Sequence, residues 1–259
     1  MTPSAFEIIG FGPNGWGKAM LLATAMTIAL AVCGFLIGTV IGVAVARAKL
    51  SKSRIVLVAA DLYTTVLRGV PDLLVIYLFY FGLSQLLGGA VSFWCSDGGL
   101  LLGLLQPSAV TPGLCGTRGF IELPRFLIGI LALGVISGAY QAEIFRGAYS
   151  VLDRGQIEAA RAIGMSPFLM FRRIIAPQVL GYAVPGLANI WQLTLKESAL
   201  VSVIGLVEIL RQSQMAANST FKPFFFYVVA GCLYLAITAV SGCSFRRAEQ
   251  HSLRGLRRA

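Results

Sequence analysis

Residues 19–46 read AMLLATAMTIALAVCGFLIGTVIGVAVA, twenty-eight consecutive positions without a charged side chain. As an α-helix this stretch is about 42 Å long, more than a ~30 Å hydrocarbon core requires. Apolar residues cover every face, so the helix is suited to lipid or a protein interior rather than to water. Gly34, Gly38 and Gly42 recur four apart and share one face, where small residues let another helix backbone come close.

The rest of the chain repeats this pattern. Of its 259 residues, 57% are hydrophobic and 12% charged, and the mean hydropathy is +0.80. Soluble domains carry about 25% charged residues, so most of this surface must face something other than water. A polar tract, a heptad seam or a Gly-X-Y period would indicate disorder, a coiled coil or collagen, and none is present. Further apolar runs cover about 55–87, 124–145, 174–195 and 224–245. The first of these is broken by Arg68-Gly69-Val70-Pro71-Asp72, and the third is interrupted by Pro177 and Pro185. The expected fold is an all-α membrane protein with five transmembrane helices. Residues 1–18 form a lead-in, 19–245 the membrane domain, and 246–259 a basic tail. No cleavable signal peptide is expected, because the first basic residue is Lys18 and the apolar run behind it is too long.

The net charge of +10 would suggest nucleic acid in a soluble protein. Here the basic residues lie between apolar runs, which speaks against nucleic acid and for membrane orientation. Segments 47–54, 146–173 and 246–259 hold fourteen of the 21 Lys and Arg. Basic loops stay in the cytoplasm. Five spans then put the N-terminus outside and the C-terminus inside, with every loop alternating correctly.

Two chemistries are set aside. Gly12-Pro13-Asn14-Gly15-Trp16-Gly17-Lys18-Ala19 nearly matches a phosphate-binding loop, but Ala19 has no hydroxyl for Mg²⁺ and a membrane span follows. Five cysteines and the single His251 offer no metal site, cofactor site or nucleophilic centre. A membrane-embedded enzyme is therefore disfavoured.

The cytoplasmic stretch 146–177 is too long to be a mere connection. Asp153-x-x-Gln156 reads as a capping-box-like start, Arg154 to Ile163 as a short helix, and Gly164 as its stop. Ser166-Pro167 restarts a second helix, and the next span begins near Pro177. Glu158-Ala159-Ala160, then Gly164, then Ile174-x-Ala176-Pro177 resemble the EAA loop of permease subunits of ATP-binding-cassette (ABC) importers, with Ala176 where Leu is usual. Arg68-Gly69-Val70-Pro71, Gly138-Ala139-Tyr140 with Glu143 and Phe145-Arg146-Gly147, and Leu200–Leu206 extend the likeness over nearly the whole chain. Together they are similar to the five-span polar amino-acid uptake branch. The Arg-Gly-Val-Pro-Asp form, with Trp191-Gln192 and Lys196, is closest to subunits serving histidine, basic amino acids and opines.

That resemblance implies a type I ABC importer fold in a bacterial inner membrane, with no catalysis in this chain. It implies a second permease subunit (a similar chain or a copy), two ATP-binding subunits and a periplasmic substrate-binding protein. It also implies that the 154–163 helix docks in a groove of an ATP-binding subunit through Glu158, Ala159, Ala160 and Gly164. An amphipathic loop lying on the inner leaflet is the alternative. An ion-coupled secondary transporter is the rival class, but no inverted repeat is evident between the halves.

Ionisable groups at membrane depth are expensive and default to functional candidates. Arg68, Asp72 and Glu143 qualify as substrate-path residues. Asp72 follows Pro71 on backbone expected to be broken, which is tolerated only where it is buried in protein or lines a wet cavity. Arg68 pairing with Asp72 or Glu143 is the structural alternative. Lys196-Glu197 reads as a local pair or part of an outer gate. Cys95 and Cys115, on the expected outer side, are disulfide candidates in an oxidising compartment, with two free thiols as the alternative.

Overall fold

The computed structural model describes residues 10–12, 15–86 and 124–256, and among these all regular structure is helical. Cys95 and Cys115 lie outside the described residues. We number the helices α1 (Gly17–Lys49), α2 (Arg54–Gly69), α3 (Asp72–Tyr77), α4 (Arg125–Ser150), α5 (Arg154–Ala162), α6 (Pro167–Met170), α7 (Ala176–Glu197), α8 (Ile209–Thr220) and α9 (Pro223–Leu256). Four helical stretches are long and apolar enough to cross a membrane: Gly17–Lys49, Arg125–Ser150, Pro167–Ile204 and Pro223–Gln250. The bent pair Arg54–Gly69 and Asp72–Leu86 makes a fifth if taken as one span.

That bend is 108°. Val70 is extended (φ −95°, ψ 139°), as a residue preceding proline prefers. Pro71 restarts the chain, and Asp72 opens α3 as an acid at the positive end of a helix. The expected broken backbone is present, but the break is a turn past a right angle rather than a kink within one rod.

α1 and α4 form the most extensive helix pair. The glycine face seen in the sequence meets α4: a Cβ on Gly34 would lie 2.9 Å from Leu133 Cβ, on Gly38 2.8 Å from Ser137 Oγ, and on Gly42 2.9 Å from Gln141 Cβ. Both numberings rise together, so α1 and α4 run parallel. α7 runs antiparallel to α4, with Gly186 against Ile144 and Thr194 against Ser137. α9 runs with α1, since Trp16 meets Phe226 and Phe35 meets Phe245. These directions gather segment 47–54, the 151–175 connection and the far part of α9 at one end of the bundle. The helix of α9 continues to Leu256, so the expected boundary at 245 is not marked by a break.

Backbone groups without water must be satisfied internally, and the side chains between the helices follow the same rule. Gln141 Nε2 donates to Phe35 O (3.1 Å) and Ser137 Oγ (2.8 Å), while its Oε1 accepts from Thr39 Oγ1 (2.8 Å). Thr194 Oγ1 joins α7 to the same network through Ser137. Tyr63 OH donates to Val135 O at 2.7 Å and holds α2 on α4. The fully buried Glu208 caps α8, accepting from the N–H groups of Leu210 and Arg211 and from Tyr234 OH of α9.

Gly38→Val places two methyl groups where Ser137 and Gln141 now sit. Overpacking of this kind costs about 1–3 kcal/mol. The thermal midpoint of the detergent-purified protein should fall, while Gly231→Val, which meets nothing within 4 Å, should hold it. Equal midpoints would refute close packing at Gly38.

Candidate translocation site and coupling helix

The connection between α4 and α7 is organised by short-range capping. Asp153 caps α5, its Oδ1 accepting from Gly155 N at 2.9 Å. Gln156 does not complete a capping box; its Oε1 accepts from Gln178 Nε2 and ties α5 to α7 instead. The end of α5 is a Schellman arrangement: Met165 N donates to Ala160 O and Gly164 N to Arg161 O, with Gly164 left-handed at φ 76°. Ser166 caps α6 and Pro167 is its first residue. Glu158, Ala159 and Gly164 are exposed, whereas Ala160 is buried beside Leu152, Met170 and Ile175. Ala160 thus seats the helix on its own subunit and the other three face outward. Only three residues separate α4 from α5.

Above this loop, at the end of α1, Lys49 has a side chain only 6% exposed. It meets Asp61 of α2 at 2.8 Å and also pairs with Glu143 of α4. Arg146 Nε donates to the other Glu143 oxygen at 2.9 Å. These ion pairs join α1, α2 and α4. Glu143, a substrate-path candidate from the sequence, is therefore held between two cations. Neither expected pairing of Arg68 forms. Its guanidinium lies 5.7 Å from the ring centroid of Tyr140, a cation–π contact. The sequence counted Lys49 only as an orientation charge; nothing local marked it as the hub of the cluster.

Arg68, Tyr140 and the Lys49 cluster line one open cavity of about 730 Å³, together with Asp61, Thr64 and Thr65. At its Tyr140 side stands a second feature. Glu197, at the end of α7, is 5% exposed, and neither carboxyl oxygen has a hydrogen-bond partner. Lys196 next to it is exposed and forms no pair with it. Asp72 interacts electrostatically with Glu197, and Tyr140 feels Asp72, Glu197 and Arg68 together. The break at Pro71 thus brings a half-buried carboxyl group to a buried one. Among the described residues, no group of three or more His, Cys, Asp or Glu could hold a metal ion.

Residues 34–252 match the family described as the inner membrane component of binding-protein-dependent transport systems. The chain belongs to this family. Its members are permease subunits, multi-pass in the inner membrane, that work with separate ATP-binding subunits and a substrate-binding protein. The octopine transport system permease protein OccQ of Rhizobium meliloti is 52% identical, covering 97% of this chain and 98% of that protein. The histidine/lysine/arginine/ornithine permease HisQ of Salmonella typhimurium is 36% identical over 95% and 98%. A crystal structure of an amino acid ABC transporter with histidines superposes with a TM-score of 0.69 at 28% identity, over 91% of this chain and 95% of that one. The expected family is therefore found, and nothing in the comparisons supports the ion-coupled alternative.

Lys49→Met would leave Glu143 and Asp61 without their shared cation. Removing one partner of a buried pair costs on the order of 3 kcal/mol, and less here because the Asp61 side chain is 52% exposed. The thermal midpoint of the purified protein should fall, with Lys49→Arg close to native. An unchanged midpoint for Lys49→Met would show that the cluster does not brace the helices.

Proposed function

We propose that this permease carries basic amino acids or opines inward, N-terminus outside and C-terminus in the cytoplasm. It forms half of the path beside a second permease subunit (a similar chain or a copy of itself), with two ATP-binding subunits. The observation that carries the substrate reading is the buried Glu197 carboxyl group, matched by no cation among the described residues and set beside Asp72 at the Pro71 break. Taking an unpaired carboxylate out of water is expensive. A passing ammonium or guanidinium group satisfies the pair, which suits a cationic substrate better than a neutral or acidic one. The octopine and basic amino-acid permeases among the relatives support the same class. Glu143 is better placed to brace helices than to bind a cation, because Lys49 and Arg146 already hold it.

Coupling runs through α5. The ATP-binding subunit grips the exposed Glu158–Ala159 face and the Gly164 turn, and closure on ATP moves α5, then α4, then the path. The basic segments gathered at this end of the bundle support its cytoplasmic placement.

Asp72→Asn keeps shape and removes charge. Uptake of L-arginine or octopine by cells carrying the cognate binding protein should drop about tenfold or more, the weight of one charge-assisted contact. Normal uptake at normal membrane levels removes Asp72 from the path. Separately, Gly164→Val strains the left-handed turn by about 1–2 kcal/mol. With Glu158→Lys, it should leave the protein in the membrane but abolish substrate-stimulated ATP hydrolysis. Full stimulation in both variants would sink the docking assignment.

A further inference from the structure

The cavity between Lys49 and Tyr140 contains two carboxyl groups and three cations, and the carboxyl groups are both engaged. Asp61 is held by Lys49, and Glu143 by Lys49 and Arg146. No carboxylate among the described residues lies within ion-pair distance of Arg68. Its guanidinium rests on the Tyr140 ring face, and its side chain is exposed to the cavity it lines. The formal charge of the lining is thus +1, concentrated on Arg68. A few residues on, past the break, the charge reverses: Asp72 and Glu197 make a site of negative sign. The two sites are separated along the chain by Gly69, Val70 and Pro71 alone. Four residues fully extended span at most ~14 Å, and Tyr140 feels Arg68, Asp72 and Glu197 together, so the two sites are neighbours.

A guanidinium presents its donors in a planar fork that matches a carboxylate in two parallel hydrogen bonds. A ring face supplies no such partner, so a carboxylate can displace Tyr140 as the principal contact of Arg68. We propose that Arg68 reads the carboxylate of the substrate, so that a basic amino acid or arginine-type opine lies with its cation at Asp72 and Glu197 and its carboxylate end toward Lys49. This rests on the cationic-substrate reading above and adds a second requirement: the ligand must be a cation that also bears a carboxylate, and it travels carboxylate-first toward the Lys49 end. An opine's additional carboxylate falls at the same end, where Arg146 lies beyond Arg68. Lys49 is then a positioning residue, neutralising Asp61 and Glu143 so that the cavity does not repel carboxylates.

The test uses the complete importer, this chain with its partner permease and ATP-binding subunits, in lipid nanodiscs without nucleotide or binding protein. Equilibrium binding of L-arginine is compared with that of agmatine, the same cation without its carboxylate. The unmodified complex should bind L-arginine roughly tenfold or more tightly than agmatine, as one charge-assisted contact implies. Arg68→Gln should erase that preference by weakening L-arginine alone, and Arg68→Lys, which keeps charge but not the fork, should retain part of it. A merely structural Arg68 predicts that Arg68→Gln weakens both ligands alike, and that result overturns the proposal. So does an undiminished preference in Arg68→Gln, or equal binding of the two ligands by the unmodified complex. Asp72→Asn should weaken both ligands together. If it weakens neither while Arg68→Gln erases the preference, the acidic site fails and the Arg68 assignment stands. Should Arg68→Gln not assemble, Arg68→Lys decides: a preference equal to the unmodified complex's overturns the fork, and a reduced one supports it.

Discussion

The close approach of α1 and α4 is the constraint on which the rest of this structure depends. Gly34, Gly38 and Gly42 leave room for Leu133, Ser137 and Gln141 to sit against the α1 backbone. Without water, the amide of Gln141 needs partners, and the approach supplies them: Phe35 O, Thr39 and Ser137. Apolar packing between membrane helices has no hydrophobic drive of its own; small residues and satisfied polar groups replace it. α7 is then located by Thr194 on Ser137, and α2 by Tyr63 on Val135. The framework that aims Asp72, Tyr140 and Glu197 at one another is assembled from these contacts.

Charge is distributed on that framework with a clear division. Where the helices end near the connection to α5, acids and bases are paired, and Lys49 joins its own helix and α2 to the sequence-distant α4. Nearer the Pro71 break, the charges are left unmatched. Neither Glu197 nor Arg68 is in an ion pair with a described residue, and Arg68 rests on a ring face. Paired charges brace the helices and unpaired ones remain free to meet a ligand, as the proposed path requires. The paired cluster also sits close to α5, since α4 carries Glu143 and Arg146 and ends three residues before it.

Much of the coupling loop was legible because its determinants are local. Asp153, Gly164 and Ser166-Pro167 act within five residues of themselves, through caps and a left-handed turn. The break at 69–71 was legible for the same reason: proline restricts its own φ and the residue before it. Gln156 was misjudged because its partner, Gln178, is 22 residues away. The expected Lys196–Glu197 pair fails on helix geometry, because neighbouring residues on a helix point to different faces.

The sequence by itself determined the membrane class, the apolar helices, the break, the short helix that opens at Arg154 and the family, since each rests on composition or on short-range backbone chemistry. Only the tertiary structure decided the 108° turn after Pro71, the capture of Glu143 by a lysine 94 residues away, and the meeting of Asp72 with Glu197. Which carboxylate finds a cation depends on helix direction, rotation and approach distance. Those are set by the sum of all contacts in the bundle, and no window of sequence contains them.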